Sequence, residues 1–93
     1  SAEFDELGQR LFEALRAHRM ALARTDGVPP YVIASDRSLR DLCLLRPRDA
    51  QALLGVHGIG PVKVERYGAG FLQVVAVVCG SSRRGTAGDQ EFA

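Results

Sequence analysis

The chain has 93 residues, enough for one small domain that buries about 60–65% of its unfolded surface around a thin core. Apolar residues make up 46% and charged residues 25%, an ordinary globular balance, and no run of 18 apolar residues offers a membrane span. Twelve basic against eleven acidic residues leave a net charge of +1, unlike the strong basic excess of dedicated nucleic-acid binders, so any binding to phosphate should be weak.

The acidic, polar start is no signal peptide. Ser1 stands where an initiator methionine would be, which predicts a piece excised from something larger, with residues 1–4 as linker or cloning remnant. Glu3 to Arg24 reads as a long helix, because Phe4, Leu7, Leu11, Leu15, His18 and Leu22 recur at three- and four-residue steps. Its acidic residues lie early and Arg16, Arg19 and Arg24 late, which suits the helix dipole. Thr25-Asp26-Gly27 supplies the stop, with Gly27 suited to a left-handed cap. In Val28-Pro29-Pro30-Tyr31-Val32-Ile33-Ala34 the two prolines predict an extended path, and four apolar residues predict that it lies across the core.

Ser35 or Asp36 caps a short helix through Leu45. Arg46-Pro47 ends it and starts another, Arg48 to Leu54. Then comes Gly55-Val56-His57-Gly58-Ile59-Gly60-Pro61, a glycine-rich hairpin with proline where a helix begins. The final helix spans Pro61 to about Cys79, with Val64, Tyr67, Phe71, Leu72, Val75 and Val78 at helical spacing. Gly68 and Gly70 predict a kink or a close helix crossing. Residues 80–93 read as a polar, flexible tail. The expected fold is all-α: a small bundle of about five helices, residues 5–79, with an extended Pro-Pro-Tyr loop after the first.

No arrangement of residues supports catalysis. Cys43 and Cys79 lie in apolar runs as small hydrophobes of a reducing compartment. His18 and His57 have no ligand-spaced partner, so neither a metal nor another cofactor is expected. No histidine accompanies a nucleophile, and a Gly-x-x-x-x-Gly-Lys-Ser/Thr phosphate loop is missing.

The order of motifs is distinctive. It runs from Leu11-Phe12-Glu13-Ala14-Leu15-Arg16-Ala17-His18-Arg19 to Gly27-Val28-Pro29-Pro30-Tyr31-Val32-Ile33, then Ser35-Asp36 with Leu39, and Arg46-Pro47. Leu53 through Gly58-Ile59-Gly60 to Lys63 follows, and Glu65-Arg66-Tyr67-Gly68 closes the series. This resembles the HRDC domain, the helicase-and-RNase-D C-terminal module, over about residues 5–79. Cys43 stands where many members carry alanine. The resemblance implies a non-catalytic accessory domain that helps a helicase or nuclease bind particular nucleic-acid structures. The complete Pro-Pro-Tyr-Val-Ile segment looks more like a bacterial RecQ helicase than an RNase D. The implied parent is an ATP-dependent DNA helicase of the bacterial cytoplasm, at the nucleoid, acting in DNA repair and recombination. The implied partners are single-stranded or branched DNA and the helicase core in cis, with the domain itself monomeric.

Tyr31 is the first candidate contact, since the resemblance carries the binding aromatic onto it and two prolines hold it as a stacking platform. The competing reading has Tyr31 plug the core with its hydroxyl at the surface. Lys63 with the Gly58 and Gly60 backbone would meet a phosphate at a helix start, against a merely solvated lysine. Arg16, Arg19 and Arg24 of the first helix with Arg37 and Arg40 of the next would form a short basic track, Arg19, Arg24 and Arg37 foremost, against pairing of the arginines with Glu13, Asp36 or Asp41. The alternative function is a protein-docking, regulatory module with little DNA affinity. A free-standing helix-hairpin-helix protein would leave the Pro-Pro-Tyr segment unexplained.

Overall fold

The computed structural model describes residues 5–83, so the expectations for residues 1–4 and 84–93 lie outside the described residues. Five helices follow in order: α1 (Glu6–Asp26), α2 (Pro30–Ile33), α3 (Asp36–Leu45), α4 (Ala50–Leu53) and α5 (Pro61–Arg83). There is no strand among the described residues, and the bundle is all-α as expected.

Local chemistry sets most of the boundaries. The Asp5 carboxylate accepts the Gly8 N–H at 2.8 Å and caps α1, so the helix starts at Glu6 rather than Glu3. At its far end Gly27 takes φ 68° and donates to the Ala23 and Arg24 carbonyls, the expected left-handed stop, with the helix itself running to Asp26, two residues past Arg24. Ser35 caps α3 by accepting the Ser38 N–H at 3.1 Å. Asp49 caps α4 in the same way through Ala52, so α4 is a single turn and shorter than the expected Arg48 to Leu54.

Two expectations need correction. The Pro-Pro-Tyr segment is not an extended loop throughout, since Pro29 and Ala34 are extended but Pro30–Ile33 between them is a helical turn. Pro30 disfavours helix at the residue before it, yet at N1 it brings a preset φ and wastes no N–H. The last helix does not stop at Cys79 but runs through Gly80 to Arg83, because one glycine weakens a helix by only about 1 kcal/mol. Gly68 and Gly70 realise the close crossing. A Cβ on Gly70 would stand 2.7 Å from His18 Nε2, and one on Gly68 3.3 Å from Leu53 Cδ2. These glycines bring α5 against α1 and α4.

The core is formed by Leu11 and Leu15 of α1, Ile33 of α2, Leu39, Leu42 and Cys43 of α3, Leu53 of α4, and Phe71 and Val75 of α5. Burial raises the Cys43 thiol to about 11, which leaves it a protonated packing residue. His18 crosses edge-on to Phe71 at 5.4 Å, and its buried Nε2 has no hydrogen-bond partner. Desolvation therefore lowers its pKa from 6.5. Unfolded His18 takes a proton below about pH 6.5 more readily than the folded ring does, so stability falls as pH drops through that value and towards the lowered folded pKa. The thermal midpoint should fall between about pH 7 and 5.5. A His18→Gln variant should show a flatter profile; an equally steep one would place the titrating group elsewhere.

Candidate nucleic-acid interface

The first turns of α3 tie together three other parts of the chain. Arg19 of α1 reaches across to donate to the Ala34 carbonyl at 3.0 Å and to the Asp36 carboxylate at 2.9 Å. Its side chain is only 12% exposed, so it serves as a clamp from α1 onto the end of α2 and the start of α3. Ser38, the one buried polar side chain among the described residues, donates to the His57 carbonyl at 2.6 Å. One turn on, the Asp41 carboxylate accepts the His57 N–H at 2.8 Å. Both backbone hydrogen-bonding groups of His57 are thus fastened to one face of α3, which anchors the glycine hairpin there.

Gly58 sits inside that clamp with φ 76°, and a Cβ there would stand 2.8 Å from Ser38 Oγ. Gly60 has no positive φ, and nothing lies within 4 Å of where its Cβ would stand. The two glycines therefore separate in their expected effects. Gly58→Ala should lose about 1–2 kcal/mol from left-handed strain alone, whereas Gly60→Ala should be near neutral. Urea unfolding of the two variants checks this, and equal losses would contradict it.

The candidate contacts are spread over α1, α2, α3 and the start of α5. At the α2–α3 junction Tyr31 is 71% exposed on the turn that begins at Pro30, and Arg37 is exposed beside Ser38. Tyr31 does not plug the core. Lys63 is half-buried in the first turn of α5, after Gly58 and Gly60. Arg24 is exposed near the end of α1, two residues before Asp26. Asp26 itself accepts the Tyr67 hydroxyl at 2.6 Å and an ion pair from Arg66 at 3.6 Å. The bond to Asp26, chiefly, holds the Tyr67 phenol above its ordinary pKa. Tyr67 is half-buried against the core, with Arg66 over its ring at 5.4 Å.

Place in the sequence gives Ser38 no role, offers Asp41 only as an arginine partner and Arg66 only as part of a motif, whereas Ser38 and Asp41 hold His57 and Arg66 pairs with Asp26. A serine and an aspartate in a short helix read as a cap and a solvated face. Their role follows only from where the hairpin lands. Arg16 pairs with Glu13, as an ordinary exposed helix pair. Among the described residues no group of three or more His, Cys, Asp and Glu side chains is placed to hold a metal ion. No helix among them is long and apolar enough to cross a membrane.

The model of the HRDC domain matches residues 8–75, most of the described bundle. The ATP-dependent DNA helicase RecQ of Bacillus subtilis is 40% identical over 65 residues, covering 70% of this chain and 11% of that protein. The ATP-dependent DNA helicase UvrD2 of Mycobacterium tuberculosis is 36% identical over 70 residues, 75% of this chain and 10% of that one. The chain thus spans about a tenth of the length of these relatives. Among solved structures, the D. radiodurans RecQ HRDC domain 3 superposes with a TM-score of 0.75 at 30% identity, over 77% of this chain and 95% of that one. A family model covering most of the bundle, together with a matching solved fold, leads to one assignment: the chain belongs to the HRDC domain family.

Proposed function

We propose that this HRDC domain is the accessory DNA-binding module of a RecQ-like helicase, weakly binding single-stranded or branched DNA and tuning which DNA structures its parent engages. As an HRDC domain it is a non-catalytic helicase accessory unit, and chemistry on ATP belongs to the parent. The parent works at the bacterial nucleoid, in DNA repair and recombination, and this domain acts as a monomer beside the helicase core.

The observation that carries the reading is Tyr31, an aromatic ring 71% exposed on a turn stiffened by Pro29 and Pro30. A ring kept in water contributes little to the core and offers its face to an unpaired base. Stacking of that kind contributes roughly 1–3 kcal/mol per base and is tolerant of sequence. Arg37 would supply charge near the ring. Lys63 with the Gly58–Gly60 backbone, and Arg24, would meet phosphates further along. Arg19 would act by holding the α2–α3 junction in place, since Asp36 already takes its guanidinium.

Near-neutral net charge keeps the electrostatic contribution small. The test is an amide NMR titration of the domain with a short thymidine strand at low and moderate salt. Shifts should gather at Tyr31, Arg37 and Lys63 and weaken as salt rises. An absence of shifts at low salt would overturn autonomous DNA binding.

A further inference from the structure

Tyr31 stands apart from the other aromatic side chains. Phe71 is buried, and Phe12 and Tyr67 are half-buried against the core, with the Tyr67 hydroxyl already given to Asp26. Among the described residues Tyr31 is therefore the one exposed phenyl or phenol ring. His57 is exposed too, but it carries a smaller ring and sits on the hairpin that α3 anchors. Charge on this surface is mixed. On α3 Asp36 and Arg40 are four residues apart, as are Arg37 and Asp41, so each arginine has a carboxylate one turn away on the helix surface. At the end of α1, Asp26 stands two residues after Arg24 and holds Arg66.

Proteins that coat a run of single strand combine a basic groove along the backbone with several rings on which successive bases stack. This domain offers one large ring, and its arginines alternate with carboxylates. We infer that each domain takes one unpaired nucleotide at a time, so that its ligand is DNA with a single unpaired base, as at a bulge or a branch, as readily as a length of single strand. The inference rests on the proposed DNA binding at Tyr31 and fixes the size of that site: one stacked base, with no gain from a second. Neighbouring nucleotides then contribute only through their phosphates, and the near-neutral charge keeps that contribution small.

The test is an amide NMR titration of the domain, at one low salt concentration, with thymidine strands of three, six and twelve nucleotides. A duplex with one internal unpaired thymidine and the same duplex fully paired are the other two probes. With one stacked base, affinity rises only with the number of equivalent positions, so affinity per nucleotide should stay constant from the shortest strand to the longest. A second stacked base would raise it roughly 5- to 150-fold. The duplex with the unpaired base should shift the Tyr31 amide and bind more tightly than the paired one, and Tyr31→Ala should remove that difference. His57→Ala, which keeps the backbone hydrogen bonds of the hairpin, should leave every affinity unchanged. A rise per nucleotide of about fivefold or more, no Tyr31 shift from the unpaired base, or a loss in His57→Ala as large as in Tyr31→Ala would each overturn the inference while leaving strand binding at Tyr31 intact. Strand binding that is absent, or indifferent to Tyr31→Ala, would instead overturn the DNA-binding reading and the inference with it.

Discussion

Tyr31→Ala is expected to weaken binding of a thymidine strand roughly 5- to 150-fold, the loss of one stacked base, while leaving the thermal midpoint nearly unchanged. The two halves of that expectation have one cause. With 71% of the residue in water, truncation removes little buried apolar area, and the α2 turn is held by Pro30 and by buried Ile33 rather than by the ring. Tyr31→Phe should retain most of the affinity, because the face and not the hydroxyl does the stacking. Titration of the three proteins at one low salt concentration measures the ratio. Unchanged affinity in Tyr31→Ala would move the binding face elsewhere. A fall in thermal midpoint alongside weaker binding would make Tyr31 a structural residue.

Phe71→Ala should have the largest effect on stability, a loss of about 3–5 kcal/mol. Phe71 is 1% exposed at the crossing of α1 and α5, beside the edge-on His18 ring and one residue from the glycine that lets the helices approach. The cavity left behind cannot close easily, because Leu11 and Leu15 are fixed on one rigid helix and Val75 on the other. A domain of this size has roughly 5–14 kcal/mol in total, so the variant should lie close to unfolding. Leu72→Ala, next in the chain but only half-buried, should cost clearly less. Urea titration followed by far-ultraviolet circular dichroism measures both. Equal losses would mean that the crossing is not the densest part of the core.

How far the fold could be read in advance depended on the distance over which each feature is decided. The apolar stripe of α1, the Gly27 stop, the Ser35 cap and the proline opening α5 are each settled within four residues and stand where expected. The turn at Pro30–Ile33 was missed because a proline both discourages helix before it and favours helix after it. Only packing of Ile33 into the core selects the second. The end of α5 was missed because the single glycine at position 80 resembles a stop and costs too little to act as one.

The candidate site divides along the same line. By itself, the sequence determined the all-α class, the order of helices, the family resemblance and the choice of Tyr31 and the Gly58 hairpin as the segments of interest, since each rests on short-range residue pattern. The tertiary structure alone decided that Tyr31 faces water and that Arg19 is spent on Asp36 and Ala34, 17 and 15 residues away. It alone decided that Ser38 and Asp41 fasten the hairpin from 19 and 16 residues away, and that Asp26 gathers Arg66 with Tyr67, 41 residues distant. The physical reason is that an arginine or aspartate has the same local preferences whether its charge is free or paired. Which of the two it becomes depends on the groups that helix packing brings within about 3 Å, and no periodicity in the chain encodes that distance.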